Sequence, residues 1–393
     1  MNILLGADSL VAPLTGIGNY TSELLSGLLR SEDVENLYGL NRQGVIHPQV
    51  LEEKINNKNN KNREFLKESL KTKIRGVPGA YRLRNIIKKS IARYELNGRY
   101  KNYIYHEPNY ILMPFSGPRI STIHDLSHIH YPEYHPKERV KYLNQELSKT
   151  IEQSDRIITV SEYVKLELVD FMGVEKEKIT AIANGVGPQF RPRTNDEISS
   201  ILREYGLESG YLLCVSTLEP RKNLDKLITA YLDLPVSLQK KFPLVLVGGA
   251  GWCCDDLLSR IKSLHHTDRV RYLGYIPAAH LPYIFSGAAT FVYPSVYEGF
   301  GLPPLEAMAS GIPVIVSDSS AMAEVVADAG VVLKTEDVDQ LSLAIEGVLD
   351  DEPLRRGLAS KGISRSCSYS WQRCVAETKE LYREVLHEYG FGA

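Results

Sequence analysis

A chain of 393 residues exceeds what one compact hydrophobic core serves and fits two domains of ordinary size. Its 46 Lys and Arg balance 48 Asp and Glu, which argues against a nucleic-acid binder that relies on overall positive charge. Five cysteines, odd in number and without a CxxC pair, indicate neither a disulfide framework nor a zinc ribbon, so a reducing compartment is expected.

The chain opens on NILLGA (2–7), a strand-like run without a basic leader, and nowhere do about 18 apolar residues run uninterrupted. The expectation is a cytoplasmic protein. LTGIGNY (14–20) follows, ahead of a helix-like TSELLSGLL. Its glycines, Gly16 among them, permit close backbone approach to an anion, or they form an ordinary strand-to-helix turn. From Lys54 to Lys101, 15 Lys or Arg meet three Glu and no Asp, and YRLRNIIKKSIARY (81–94) sets apolar residues near one helical face with basic flanks. That pattern serves either a solvated helix with a core face or a helix on an anionic membrane surface, which would make the protein peripheral at the inner face of the cytoplasmic membrane. Nucleic acid is not an expected partner, because no aromatic stacking platform accompanies the charges.

NYIYHE (102–107), RISTIHD (119–125), RIITVS (156–161) and KITAIAN (178–184) continue a series of short apolar runs separated by longer amphipathic stretches, the pattern of βα units. GVGPQFRPRTNDE (185–197) is rich in Gly, Pro and polar residues and places a domain boundary near residue 190. A second series follows: YLLCVS (211–216), PLVLVGG (243–249), RVRYLGY (269–275), ATFVYPS (289–295), PVIVSD (313–318) and GVVLK (330–334). The end, from about Ser370, has apolar positions at helical spacing. The predicted fold class is α/β, with Rossmann-like domains over 1–190 and 191–370 and a helix over 371–393.

Several residues in this frame carry chemistry. His124 and Asp125 end a strand, and His128, His130 and His135 follow; the loop spacing of these histidines is nonspecific for a metal and none is expected. A histidine at a strand's carboxyl end stands where such sheets bind ligands, or is a satisfied core group. Arg221 and Lys222 follow YLLCVS, where open α/β sheets bind ligands, and a basic pair there would neutralise a leaving pyrophosphate without Mg²⁺. No Asp-x-Asp ends a strand. LVLVGGAGW (244–252) fails as a dinucleotide fingerprint, since Cys254 stands nearest the place of the third glycine. In EGFGLPPLE (298–306), Glu298 is expected on a loop and Glu306 in the first turn of a helix that holds proline in that turn and ends before Gly311. The amides of Phe300, Gly301 and Leu302 would lie at the positive end of that helix, and a carboxylate one turn along can accept from a ribose diol. Taken singly, these are a favourable helix acid and a solvated loop charge. Together they suit a nucleoside diphosphate.

The two glutamates with seven residues between, the run GFGLPPLEAMASGIPVI and the following SDSSAMAEVV resemble the donor-binding core of retaining glycosyltransferases of family four, whose GT-B architecture sets two Rossmann-like domains across a cleft. VSTLEPRKNLDKLI resembles the family's phosphate segment, with Lys222 at its lysine; many members have arginine where this chain has Thr217, which leaves Arg221 as the nearest second cation. LGYIPAAHLPYIFSGA resembles the base-binding stretch, in which the backbone around Tyr275 and Ile276 reads the nucleobase. The resemblance further implies that Gly16 approaches the donor, that His124 lies near the sugar with Asp125 toward the acceptor, and that Glu298 positions sugar hydroxyls without acting as a covalent nucleophile. It also implies that the terminal helix returns to the first domain.

HDLSHIHYPEYHP resembles segments of bacterial O-antigen and exopolysaccharide mannosyltransferases. The expected function is therefore retaining, metal-independent hexosyl transfer, first from GDP-mannose, to a glycan or lipid-linked saccharide in surface-polysaccharide synthesis, with no cofactor. Two other classes satisfy many of the same residues. A GT-B sugar-nucleotide epimerase or hydrolase would consume donor without any acceptor, and a non-catalytic nucleotide-sugar-binding partner would show no turnover.

Overall fold

The computed structural model describes the chain except residues 11–13, 15, 42–43, 57–95, 97, 265–266, 335–336 and 392–393. The amphipathic stretch 81–94 and most of the basic run 54–101 thus lie outside the described residues. The chain divides into two compact units, one of Met1–Asn184 with Trp371–Ala393 and one of Gly185–Ser370. The division at Asn184 falls somewhat before residue 190.

The first unit holds a sheet in the order β3-β2-β1-β4-β5-β6-β7 among the described residues. Its strands are β1 (Asn2–Gly6), β2 (Asn36–Asn41), β3 (Gly44–Ile46), β4 (Ile104–Glu107), β5 (Arg119–Ile123), β6 (Arg156–Thr159) and β7 (Ile179–Ala181). Only β3 runs antiparallel to its neighbour. Parallel strands are covered on both faces, and β4 is accordingly buried at every residue. The strand β2 is absent from the sequence-based reading because NLYGLN carries glycine and two asparagines, poor strand formers. It is a strand because β1 partners it from Asn2↔Asn36 to Gly6↔Leu40.

The second unit begins with a capping box, in which Thr194 and Glu197 satisfy each other's backbone amides at the start of the helix Asn195–Glu204. Its sheet runs β10-β9-β8-β11-β12-β13, from β8 (Tyr211–Val215), β9 (Leu244–Val247), β10 (Val270–Gly274), β11 (Ala288–Tyr293), β12 (Val314–Ser317) and β13 (Val331–Leu333). All its pairs are parallel. This is the doubly wound order whose direction reverses between β8 and β11, and ligands of such sheets bind beyond the carboxyl ends of the strands at that reversal. The expectation of two Rossmann-like parallel sheets is met.

The helix Trp371–Glu388 belongs to the first unit and packs on the helix Gly16–Leu29. Cys374, Val375, Leu381, Tyr382, Val385 and Leu386 enter the same core as Ile3, Leu5, Leu24 and Leu28. The close approach needs a glycine, since a Cβ on Gly27 would lie 2.4 Å from Val375 Cγ2. No described helix is long and apolar enough to cross a membrane.

Candidate active site

The carboxyl ends of β8 and β11 bring together the residues singled out in the second unit. After β8 the chain makes a short 3-10 turn, Pro220–Lys222, closed by Asn223 in the left-handed region at φ 57°, before the helix Leu224–Leu232. After β11, Ser295 leads to Glu298. Lys222 Nζ donates to Glu298 Oε1 and, at 3.1 Å, to the Tyr293 hydroxyl. Ser295 Oγ and Tyr293 OH donate to the same Oε1 at 2.6 and 3.1 Å, and Arg221 Nη1 lies 3.3 Å from it. Glu298 Oε2 has no partner among the described residues. Burial pushes the Glu298 carboxyl up, but Arg221 and Lys222, with the hydrogen bonds from Lys222 and Ser295, outweigh it and hold it at about 2. An ionised carboxylate with one committed oxygen and one open oxygen is equipped to accept from a hydroxyl.

The two cations differ in what they have left to give. Arg221 donates to the Tyr297 carbonyl and, through Nη2 at 2.8 Å, to Glu219 Oε1, so both its Nη atoms are tied to the protein and its Nε is buried. Lys222 keeps one N–H, because Glu219 Oε1 at 3.9 Å is beyond hydrogen-bond reach. The sequence offers Lys222 with Arg221 as a second phosphate cation; the geometry gives Arg221 a scaffold position and leaves Lys222 a spare donor.

Glu306 is the fifth residue of the helix Leu302–Ala309, not a first-turn acid as expected. Gly301, at φ 103°, reverses the chain directly into Leu302, so the helix starts early enough to carry Glu306 into its second turn. A Cβ on Gly301 would lie 3.1 Å from Met322 Cγ in a backbone conformation that side chains disfavour. Glu306 is half-buried, and its carboxyl has no described hydrogen-bond partner. Burial alone raises its carboxyl to about 8. The amides of Phe300, Gly301 and Leu302 likewise donate to no described acceptor, and they stand at the positive end of this helix.

Tyr275 is exposed while Ile276 is buried, just past the β-bulge at Gly274. The glycines of LVLVGGAGW have a packing cause: a Cβ on Gly248 would lie 1.8 Å from Ser216 O, and one on Gly251 2.6 Å from Leu218 O. They let the ends of β9 and β8 touch.

In the first unit, His124 follows β5 and is buried. Its Nε2–H donates to the Pro108 carbonyl at 2.8 Å, and burial lowers its pKa, so the ring is neutral near pH 7 with an open acceptor at Nδ1. Asp125 supports its own turn, since Oδ1 accepts from the Ser127 amide and hydroxyl at 3.0 and 2.8 Å. Gly16 begins the helix Gly16–Leu29, and a Cβ there would meet nothing within 4 Å. The steric demand for glycine falls on Gly18, whose Cβ would lie 2.9 Å from Ser9 O.

Sequence reasoning missed a buried polar chain behind His124. His106 Nδ1 pairs with the Tyr382 hydroxyl at 2.6 Å and Nε2 with Thr122 Oγ1 at 2.7 Å, and Thr122 Oγ1 meets the Tyr20 hydroxyl at 3.1 Å. The available signal was a histidine inside NYIYHE, a run read as a buried strand, where a polar ring needs partners.

Two doubly wound units, with open donors and carboxylates at the reversal of the second sheet, fit the GT-B fold of glycosyltransferases. The chain belongs to glycosyltransferase family four: residues 15–190 match the family described as Glycosyltransferase Family 4 and residues 201–365 that described as Glycosyl transferases group 1. It is 35% identical over 386 residues to O-antigen chain mannosyltransferase B of Escherichia coli, covering 98% of this chain and 100% of that protein. Among solved structures it is similar to sucrose-phosphate synthase of Thermosynechococcus elongatus, with TM-score 0.72, 20% identity, and coverage of 99% and 100% of the two chains. It is also similar to HepE of Anabaena in complex with UDP and glucose, with TM-score 0.68, 18% identity, and coverage of 97% and 99%.

Proposed function

We propose that this glycosyltransferase moves mannose from GDP-mannose, with retention and without a bound metal, to a glycan or lipid-linked saccharide during bacterial surface-polysaccharide synthesis. The observation that carries the reading is the likeness, end to end, to an O-antigen chain mannosyltransferase. The complex of HepE with UDP and glucose supports a nucleotide-sugar donor of some kind.

Within the second unit, the ribose diol donates to Glu306, while the open amides of residues 300–302 and the spare N–H of Lys222 take the diphosphate. As the sugar–phosphate bond breaks, charge grows on the leaving oxygen, and donors already in place stabilise it without reorganisation. The open Oε2 of Glu298 accepts from a sugar hydroxyl and stays ionised because Arg221 and Lys222 hold it so. His124, through Nδ1, accepts from another hydroxyl of the transferred sugar. Tyr275 and Ile276 contribute backbone groups toward the base, Gly16 admits the donor closely, and Asp125 orders the turn toward the acceptor. The basic segment 54–101 is proposed to meet an anionic membrane surface.

The test is a thermal-shift panel of GDP, UDP, ADP and their sugar conjugates, with and without EDTA, on wild type and Glu306→Ala. Stabilisation by GDP and GDP-mannose that survives EDTA and vanishes in the variant is expected. A UDP-selective response overturns the mannose assignment, and no response overturns the donor site.

A further inference from the structure

The chain Tyr382–His106–Thr122–Tyr20 has no part in donor binding, yet it ends against the histidine assigned to the sugar. All four side chains are fully buried. The Tyr20 ring meets the His124 imidazole edge-on, with centroids 5.1 Å apart and planes at 83°, and Trp371 also packs on it, with centroids 6.4 Å apart. Tyr110 lies 6.0 Å from the same imidazole, and its amide donates to the Thr122 carbonyl at 3.1 Å. Thr122 therefore bonds both tyrosines that flank His124, Tyr20 through its side chain and the Tyr110 amide through its backbone. The proton count makes the chain directional. Burial keeps His106 neutral, at about 3, so it has one N–H. Either Tyr382 donates to Nδ1 and Nε2–H to Thr122, or Nδ1–H donates to Tyr382, Thr122 to Nε2 and Tyr20 to Thr122. Deleting the Tyr382 hydroxyl leaves Nδ1 without its partner in either arrangement, and deleting the Thr122 hydroxyl leaves Nε2 without its partner.

We propose that Thr122, His106 and Tyr382 are positioning residues for His124: they lock the Tyr20 ring, and the ring holds the imidazole at the angle at which Nδ1 meets the sugar. The C-terminal helix, which carries Tyr382, thus acts on the transferred sugar from behind the first sheet. This inference rests on the assignment of His124 to the sugar. Misorientation of a group that acts on the reacting sugar lowers kcat, whereas donor affinity, set by the second unit, is left nearly intact.

The experiment measures GDP release from GDP-mannose for wild type, Thr122→Val, Thr122→Ser, Tyr382→Phe and His124→Ala, with ¹⁵N-histidine spectra and thermal melts of each. Val matches the shape of Thr without its hydroxyl, Ser restores the hydroxyl, and Phe keeps the Tyr382 ring. Losing one buried hydrogen bond in the chain is expected to cut kcat about tenfold in Thr122→Val and Tyr382→Phe, with the KM for GDP-mannose within about twofold. Thr122→Ser recovers most of the rate, and the His124 nitrogens leave the pure Nε2–H pattern only in the two deletion variants. Should Thr122→Val fail to fold, Tyr382→Phe carries the same prediction. Full kcat in folded Tyr382→Phe beside an inactive His124→Ala overturns the positioning chain alone. An active His124→Ala overturns the assignment of His124 and this inference with it.

Discussion

Glu298→Gln keeps the shape of the side chain and removes its charge, leaving Arg221 and Lys222 buried against Glu219 alone. The pull on the carboxyl, from 4.5 to about 2, corresponds to about 3 kcal/mol of interaction. Breaking a buried ion pair from one side independently costs about 3–5 kcal/mol, because the remaining charge is stranded. For a unit of this size, spanning Gly185–Ser370, about 3 kcal/mol lowers the midpoint by about 10 °C. The sign with pH follows: a carboxyl lowered on folding contributes fully above 4.5, and the contribution is lost as pH falls toward 2. The assay uses the two tryptophans, Trp252 and Trp371, which fall in different units. In a Trp371→Phe background, Trp252 fluorescence reports unfolding of the second unit alone. Adding Lys222→Met to Glu298→Gln removes the stranded cation and should return part of the loss. A midpoint shift under about 2 °C, or strict additivity of the two substitutions, would refute the coupling.

Three other outcomes are expected. Glu306, raised to about 8, is protonated in the free protein at neutral pH; if a diol donates to its carboxylate, nucleotide binding releases a proton. Affinity then rises with pH and levels off above about 8, which calorimetry in buffers of different ionisation enthalpy detects as a buffer-dependent heat that Glu306→Gln abolishes. Gly301→Ala, at φ 103° and against Met322, should cost about 1–2 kcal/mol by urea denaturation and weaken nucleotide binding together, whereas Gly16→Ala should leave stability within about 0.5 kcal/mol. Removing residues 371–393 strips apolar side chains from the first core, each worth about 1.5–3 kcal/mol, so limited proteolysis should degrade the first unit and spare the second.

Much of the architecture was legible because its determinants are local. Short apolar runs such as LVLV and VIVS are buried on both faces of a parallel sheet, and that pattern survives in one dimension. So did the helix after EGFG, through its prolines and Gly311. The strand NLYGLN was not legible, since its partner across the sheet, not its own propensity, makes it a strand. Within the site, the sequence determined which groups are available: two glutamates, a basic pair and a histidine at a strand end. Only the tertiary structure decided how they are used. The fold of β8 beside β11 spends Arg221 on Glu219 and Tyr297, commits one oxygen of Glu298 and leaves the other open. It also leaves the half-buried Glu306 carboxyl without a partner among the described residues, and brings Tyr382 to His106 from 276 residues away. Charge states and hydrogen-bond capacity depend on what lies within a few ångströms, and spacing along the chain does not carry that information.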